Sequence, residues 1–562
     1  MILANSSEAR KIDETAMAEW HLSSPILVEA AGRECAHSLL AHWHQLFPDN
    51  AIALHQSPSV IIAAGSGNNA ADGLVLLKTF ILKGVFDSSR CSIVLSKPES
   101  DRPSAIFSED TSPRTQVLRA LKKMGIYPVV WQELSEPDRL LLFSKADLII
   151  DALTGTGLRG PVKASVAEMV EAINQSRRGN THQRVISIDI PSGLYDAWDF
   201  ADPLVEADIT LAIEPVKVCL FKPQARIKAG IILPVSGIFP ESLVKQFSHN
   251  QLITLSDLTS NLDAVQALSV KADAYKHQRG VVQIFAGSPG TSGAVILAGR
   301  GAQAAGAGLI QIVTDQLLAE HLMAHAGGLL LTCKAWLDAQ VHTGTRSPLN
   351  SDAIVMGPGL SWNGELDTSL TKAIEEQGQR GIGLVFDADA IVPAARYSYA
   401  GPAVFTPHPV EFQGLLKALA FTHQDVTIPA DEKLRSMIKT NPIPLLQLAA
   451  GKTNGVIVLK GHVIHIAAPD GTYTVIDGME STLSMGGTGD LLAGFIGALM
   501  ARMKRNRIPI DPIVCSQWAV AILVEAGHRL RRKGGFQDPL ALVDILGSIA
   551  GELWLPTTGD VP

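Results

Sequence analysis

A short apolar run that ends in a polar, glycine-containing loop recurs along this chain, and that recurrence restricts the fold more than any other feature. Residues 60–64, 91–95, 146–151 and 185–189 read as buried strands from their β-branched content. Segments with helical spacing lie between them, such as Leu74, Leu77 and Ile81, or 118–124. The alternation returns at 281–286, 309–313, 353–356, 384–387 and 403–406. Residues 455–460 and 463–467 read as a hairpin across Gly461-His462. Strands that alternate with helices form parallel sheets covered on both faces. The expected fold class is therefore α/β, with two doubly wound domains, because 562 residues exceed what one core holds. The expected boundaries are 1–240 and 272–562, with 241–271, which lacks strand signals, as a connector.

Composition narrows the function. Hydrophobic residues make up 46% and charged residues 18%, which excludes a disordered chain. A net charge of −8 argues against a general nucleic-acid surface. Cys35, Cys91, Cys219, Cys333 and Cys515 form no CxxC pair and read as reduced cytoplasmic thiols. The first eleven residues carry charges without an apolar core, so no signal peptide is expected. Ser288 to Ser292 interrupt the uncharged stretch 281–299, so no membrane span is expected either.

In a doubly wound sheet, ligands bind beyond the C-terminal ends of the strands. Asn69, Asp151, Asp189 and Ser192 all follow such strand ends. Oxygen-bearing side chains without His or Cys suit a hard cation, not zinc. Gly155 to Gly160 suits a phosphate-bearing ligand. Each residue also has an ordinary reading: Asn69 and Ser192 as turn formers, Asp151 and Asp189 as helix caps. Their joint position on one sheet edge is what points to a site.

At these residues the chain resembles the NAD(P)H-hydrate epimerases. The resemblance spans roughly 6–240 and rests on Gly67-Asn68-Asn69 with Asp72-Gly73, on Asp151 with Gly155-Thr156-Gly157, and on 188–193. It implies a Rossmann-like domain in which Asn69, Asp151 and Ser192 hold potassium. It also implies that Asn68, Asn69, Ala70, Ala71, Asp72, Gly155, Thr156, Gly157, Leu158, Arg159, Gly160, Pro161 and Asp189 contact the hydrated nucleotide, with Asp189 as the proton-transfer group. The family usually has glycines where Ala70 and Ala71 stand. If that backbone needs positive φ, each Cβ costs on the order of 1 kcal/mol and slows epimerisation.

The second half is dominated by Met485-Gly486-Gly487-Thr488-Gly489-Asp490, which runs into a segment with helical spacing. Glycine amides and a helix N-terminus together make an anion cradle. A carboxylate there would repel a phosphate, so Asp490 reads as a base for an attacking hydroxyl, or else as a helix cap. The half resembles the ribokinase-like NAD(P)H-hydrate dehydratases through Gly287-Ser288, 357–360, 387–390, 406–409 with Glu411-Phe412, Lys460-Gly461 and 487–490. That implies Ala294, Gly359, His408 and Asp490 at the hydrated nucleotide. It also implies Lys460, Gly461, His462, Val463, Ile464 and Gly489 at the adenine nucleotide. Without the resemblance, His408 reads as a turn residue and Lys460 as a solvated strand end. Val410 and Ile464 depart from the family's usual Gly and Thr.

Both halves in one chain match the pattern of the fused bifunctional repair enzymes. The implied reactions are epimerisation of R- and S-NAD(P)H hydrate, and dehydration of the S form to NAD(P)H with ADP or ATP; with ADP the products are AMP and phosphate. Magnesium and potassium are the implied ions and NADHX and NADPHX the implied substrates. No nucleic-acid or membrane partner is implied. A homo-oligomer in the cytoplasm is expected. The alternative is a small-molecule kinase of the ribokinase-like fold with a non-catalytic N-terminal binding domain.

Overall fold

The computed structural model describes residues 1–47, 57–98, 112–323, 327–333, 351–361, 379–534 and 538–555. The chain divides into two compact units, Ile2–Asn250 and Gln251–Pro562, the latter with Met1. Among the described residues, no helix is long and apolar enough to cross a membrane.

The first unit is built on a seven-stranded sheet, parallel throughout. From edge to edge its strands are Val129–Val130, Cys91–Leu95, Val60–Ala64, Leu148–Ala152, Arg184–Ile188, Ile209–Ile213 and Ile231–Val235. Two-residue periodicity sorts the central strands into two cores. Ile62, Ala64, Ile150, Ala152, Ile186 and Ile188 join a cluster with the helices Ser24–Ala41 and Asn68–Leu82. Ile61, Ala63, Ile149 and Val185 join another with the helix Ala164–Gly179. The chain runs outward from Val60–Ala64 to one edge, then restarts on its other side at Leu148–Ala152. That reversal is the switch point where ligands collect in such sheets.

The second unit has the same logic. Its parallel strands run Leu330–Cys333, Leu309–Thr314, Val281–Phe285, Ala353–Met356, Gly383–Phe386, Ala403–Phe405 and Val456–Leu459. Val463–Ala467 and Tyr473–Asp477 continue it in antiparallel fashion. The switch point falls between Val281–Phe285 and Ala353–Met356. The helix Thr488–Arg505 packs backbone-close on the helix Ser292–Ala304. A Cβ on Gly494 would stand 1.9 Å from the Ala298 carbonyl oxygen, so only glycine allows this approach.

Residues 241–271, expected as a connector without strand signals, include the strand Asn250–Leu252. They form the helices Glu241–Phe247, Leu255–Thr259 and Leu262–Leu268. Leu243 and Val244 pack with Ile12 and Ala16, whereas Leu268 is fully buried in the second unit's core. Helices of five to seven residues show too few turns for periodicity to reveal them.

Candidate active sites

In the first unit, the loops at the switch point open into a cavity of about 670 Å³. Asn68, Asn69, Asp72, Asp189 and residues 155–158 line it, together with Asp13 and Lys217. Asp189 has φ +67°, a left-handed conformation that costs about 1–2 kcal/mol for a residue with a Cβ. It is held there by its amide, which donates to Leu211 O at 2.8 Å, and by Lys217 Nζ, 2.7 Å from Oδ1. Both side chains of that ion pair are more than nine-tenths buried. Burial pushes the Asp189 carboxyl up, and Lys217 opposes it. Asp72 is driven well above the carboxylate range by burial and by the charge of Asp189. Asp13 is pushed up to about 6 by burial, against the pull of Lys217.

Beneath the cavity, Asp151 is fully buried. It accepts from Ser187 Oγ at 2.7 Å and from the Ser192 amide at 2.8 Å. Burial raises its carboxyl, and these hydrogen bonds lower it. No lysine or arginine among the described residues pairs with it. Asn69 Nδ2 donates to Thr154 O at 2.9 Å, which leaves Asn69 Oδ1 buried without a hydrogen-bond partner. Ser192 Oγ accepts from the Thr154 amide at 2.9 Å. A buried carboxylate with no cationic neighbour, an orphaned amide oxygen and a hydroxyl oxygen form a donor set that fits a hard monovalent cation. Gly155 leans on this group: a Cβ there would stand 2.9 Å from Asn69 Cβ.

Ala70 and Ala71 correct the expectation placed on them. The helix starts at Asn68, so both lie in its first turn without positive φ. Their methyl groups are buried in the core and do not line the cavity. Arg159, Gly160 and Pro161 also lie outside the lining.

In the second unit, Asp490 lies in the first turn of the helix Thr488–Arg505, capped by Gly487 at φ +96° and by no side chain. A Cβ on Gly487 would collide with Leu297 Cδ1 at 2.2 Å, so the turn requires glycine. The first-turn amides are left without a side-chain acceptor, as an anion cradle requires. Burial, with Asp387 and Glu411 nearby, pushes Asp490 up to about 7 against the pull of Lys460. Lys460 Nζ lies 2.7 Å from Asp387 Oδ1 and 3.8 Å from Glu411 Oε2. Burial would lower this ammonium, but the two carboxylates outweigh it and its pKa is raised. Thr406 Oγ1 donates to Asp387 Oδ1 at 2.8 Å.

His408 caps the helix Pro409–Thr422, its Nδ1 accepting from the Val410 and Glu411 amides at 3.1 and 3.3 Å. That leaves Nε2 as its proton-bearing nitrogen, 3.2 Å from Glu411 Oε1. At the switch point, Gly359 O accepts from Thr291 Oγ1 at 2.6 Å, and Gly359 lies against Ala294. The side chains of Val463 and Ile464 are buried, so only their backbone is left to meet a nucleotide.

A model described as NAD(P)H-hydrate dehydratase matches residues 282–546, and one described as YjeF-related protein N-terminus matches 24–219. The bifunctional NAD(P)H-hydrate repair enzyme of Moorella thermoacetica is 27% identical over 97% of this chain and 96% of its own. The chain belongs to the bifunctional NAD(P)H-hydrate repair enzymes. The repair enzyme of Escherichia coli is 28% identical over 79% of this chain and 76% of its own. Among solved structures, the ADP/ATP-dependent NAD(P)H-hydrate dehydratase of Bacillus subtilis is 25% identical over 51% of this chain and 95% of its own, with a TM-score of 0.41.

Within this repair enzyme the structure adds groups that the sequence did not single out as site residues. Lys217 is the basic residue in an otherwise apolar run, 216–221, and that contrast was the available signal. Asp13 carried none, because its helix is remote in sequence. Asp387 and Glu411 stood within recognised motifs, yet their meeting at Lys460 is a product of the fold.

Proposed function

We propose that the first unit interconverts the R and S epimers of NAD(P)H hydrate and that the second dehydrates the S epimer with ADP or ATP. The observation that carries the reading is Asp490: a carboxylate raised to about 7, at the uncapped N-terminus of a helix, beside Lys460. Asp490 takes the proton of the ring hydroxyl as that oxygen attacks the terminal phosphoryl group. The first-turn amides and Lys460 meet the charge on the phosphate oxygens. Loss of phosphate from the ring carbon, and of a proton from its neighbour, forms the double bond of NAD(P)H. Magnesium, when bound with the nucleotide, neutralises phosphate charge. Ala294, Gly359 and His408 border the hydrate, and residues 460–464 with Gly489 border the nucleotide.

In the first unit Asp189 handles the proton on the cavity wall. Asn69, Asp151 and Ser192 would hold potassium, whose charge would offset the buried Asp151 carboxylate. The test is an absorbance assay with separated epimers of NADH and NADPH hydrate, each with ADP and with ATP. Reduced nicotinamide should appear from the S epimer with inorganic phosphate released, and from the R epimer after interconversion. A stable phosphorylated product would identify a small-molecule kinase instead.

A further inference from the structure

Lys217 is buried in a position where a lysine is costly unless it has work for its charge. Its ammonium touches Asp189 Oδ1 at 2.7 Å and Ile213 O at 3.0 Å, and the side chain also lines the cavity. The titratable groups that feel the charge of Asp189 come from several elements. They are Asp13 on the helix Ser6–Ala18, Cys35 on Ser24–Ala41, Asp72 on Asn68–Leu82, and Cys219 just after Lys217. Among these Lys217 is the one cation.

We propose that Lys217 is a positioning residue for epimerisation: it fixes the Asp189 carboxyl toward the cavity and stabilises it as a carboxylate while it gives up and regains the proton. The inference rests on the epimerase reading above. The hydrate carries its hydroxyl on the carbon next to the ring nitrogen. Asp189 gives a proton to that hydroxyl, the C–O bond breaks, and the nitrogen lone pair forms a C=N bond. Water then adds to the opposite face, its oxygen forming the new C–O bond, and its proton returns to Asp189. Protons and electrons balance without an oxidant. The ammonium lies where Asp189 becomes an anion, so it lowers the cost of the ionised form.

The test compares full-length Lys217→Gln and Lys217→Arg with the wild type, following epimerisation across pH. Dehydration of the S epimer in the same preparation controls for folding of the second unit, and a thermal melt for the first. Lys217→Gln should lower kcat by about 10²-fold. The limb of the pH profile set by Asp189 should move up by about one unit, since removal of a positive neighbour raises a carboxyl. Lys217→Arg should keep the limb in place and stay within about tenfold of the wild type. A Gln variant whose rate falls with no shift of the limb would reduce Lys217 to a packing role and overturn the proposal. If the Gln variant does not fold, a folded Arg variant that keeps its rate supports the proposal, and one as slow as about 10²-fold below wild type overturns it. A wild type that never interconverts the epimers overturns the epimerase reading itself and the proposal with it.

Discussion

Lys460 Nζ stands 2.7 Å from Asp387 Oδ1 and 3.1 Å from where a Cβ on Gly489 would stand. One ammonium thus lies between a buried carboxylate on one strand end and the first turn of the helix Thr488–Arg505. Lys460→Met should leave Asp387 uncompensated and cost about 3–5 kcal/mol of unfolding free energy. Denaturant unfolding of the full chain measures this. Nucleotide binding, followed by calorimetry, should weaken in parallel.

Asp490→Asn should lower dehydration by about 10²–10⁴-fold while nucleotide still binds. In the wild type the rate should fall as pH drops through about 7, where the base becomes protonated. Stability moves the other way. A carboxyl raised in the folded state contributes stability that is full below the unfolded value near 3.8 and is lost as pH rises to about 7. At pH 8, therefore, the Asn variant should melt higher than the wild type while turning over slower. A variant that melts lower at pH 8 would contradict the assignment of burial as the cause.

Potassium should raise the melting temperature of the wild type relative to choline at equal ionic strength. A ligand at a hundred times its Kd contributes about 2.7 kcal/mol. Asp151→Asn should lose that increment, because it removes the charge from the proposed donor set. Equal melting in both salts would rule out a bound cation as a stabiliser.

Ala70→Gly with Ala71→Gly should destabilise, not accelerate. Both positions are helical and buried, so each glycine costs about 1 kcal/mol in backbone entropy and loses a packed methyl. Epimerisation should not rise. A faster double-glycine variant would show that the alanines do constrain the cavity.

The sheets were legible because their strands are buried on both faces and read as unbroken β-branched runs, such as Val60–Ala64. Asn69 and Asp189 stand out in the sequence because they are polar groups just past buried strands. The start of the helix at Asn68 is not marked in the sequence: Gly67 precedes it with no capping side chain, so nothing there signals that Ala70 and Ala71 are helical. Lys217 was hidden for a different reason. Its meaning depends on a partner 28 residues away, and only the sheet brings the two together.

The contact of Gly155 with Asn69 carries one more consequence. A loop proposed to meet the hydrate rests against a side chain proposed to hold the cation, so occupancy of one would bear on the other. Whatever factor potassium adds to hydrate affinity, the hydrate must return to potassium affinity. If Asn69, Asp151 and Ser192 hold potassium, the surrounding potassium level would act as a set-point for how much hydrate the first unit holds, even where it leaves the chemical step untouched.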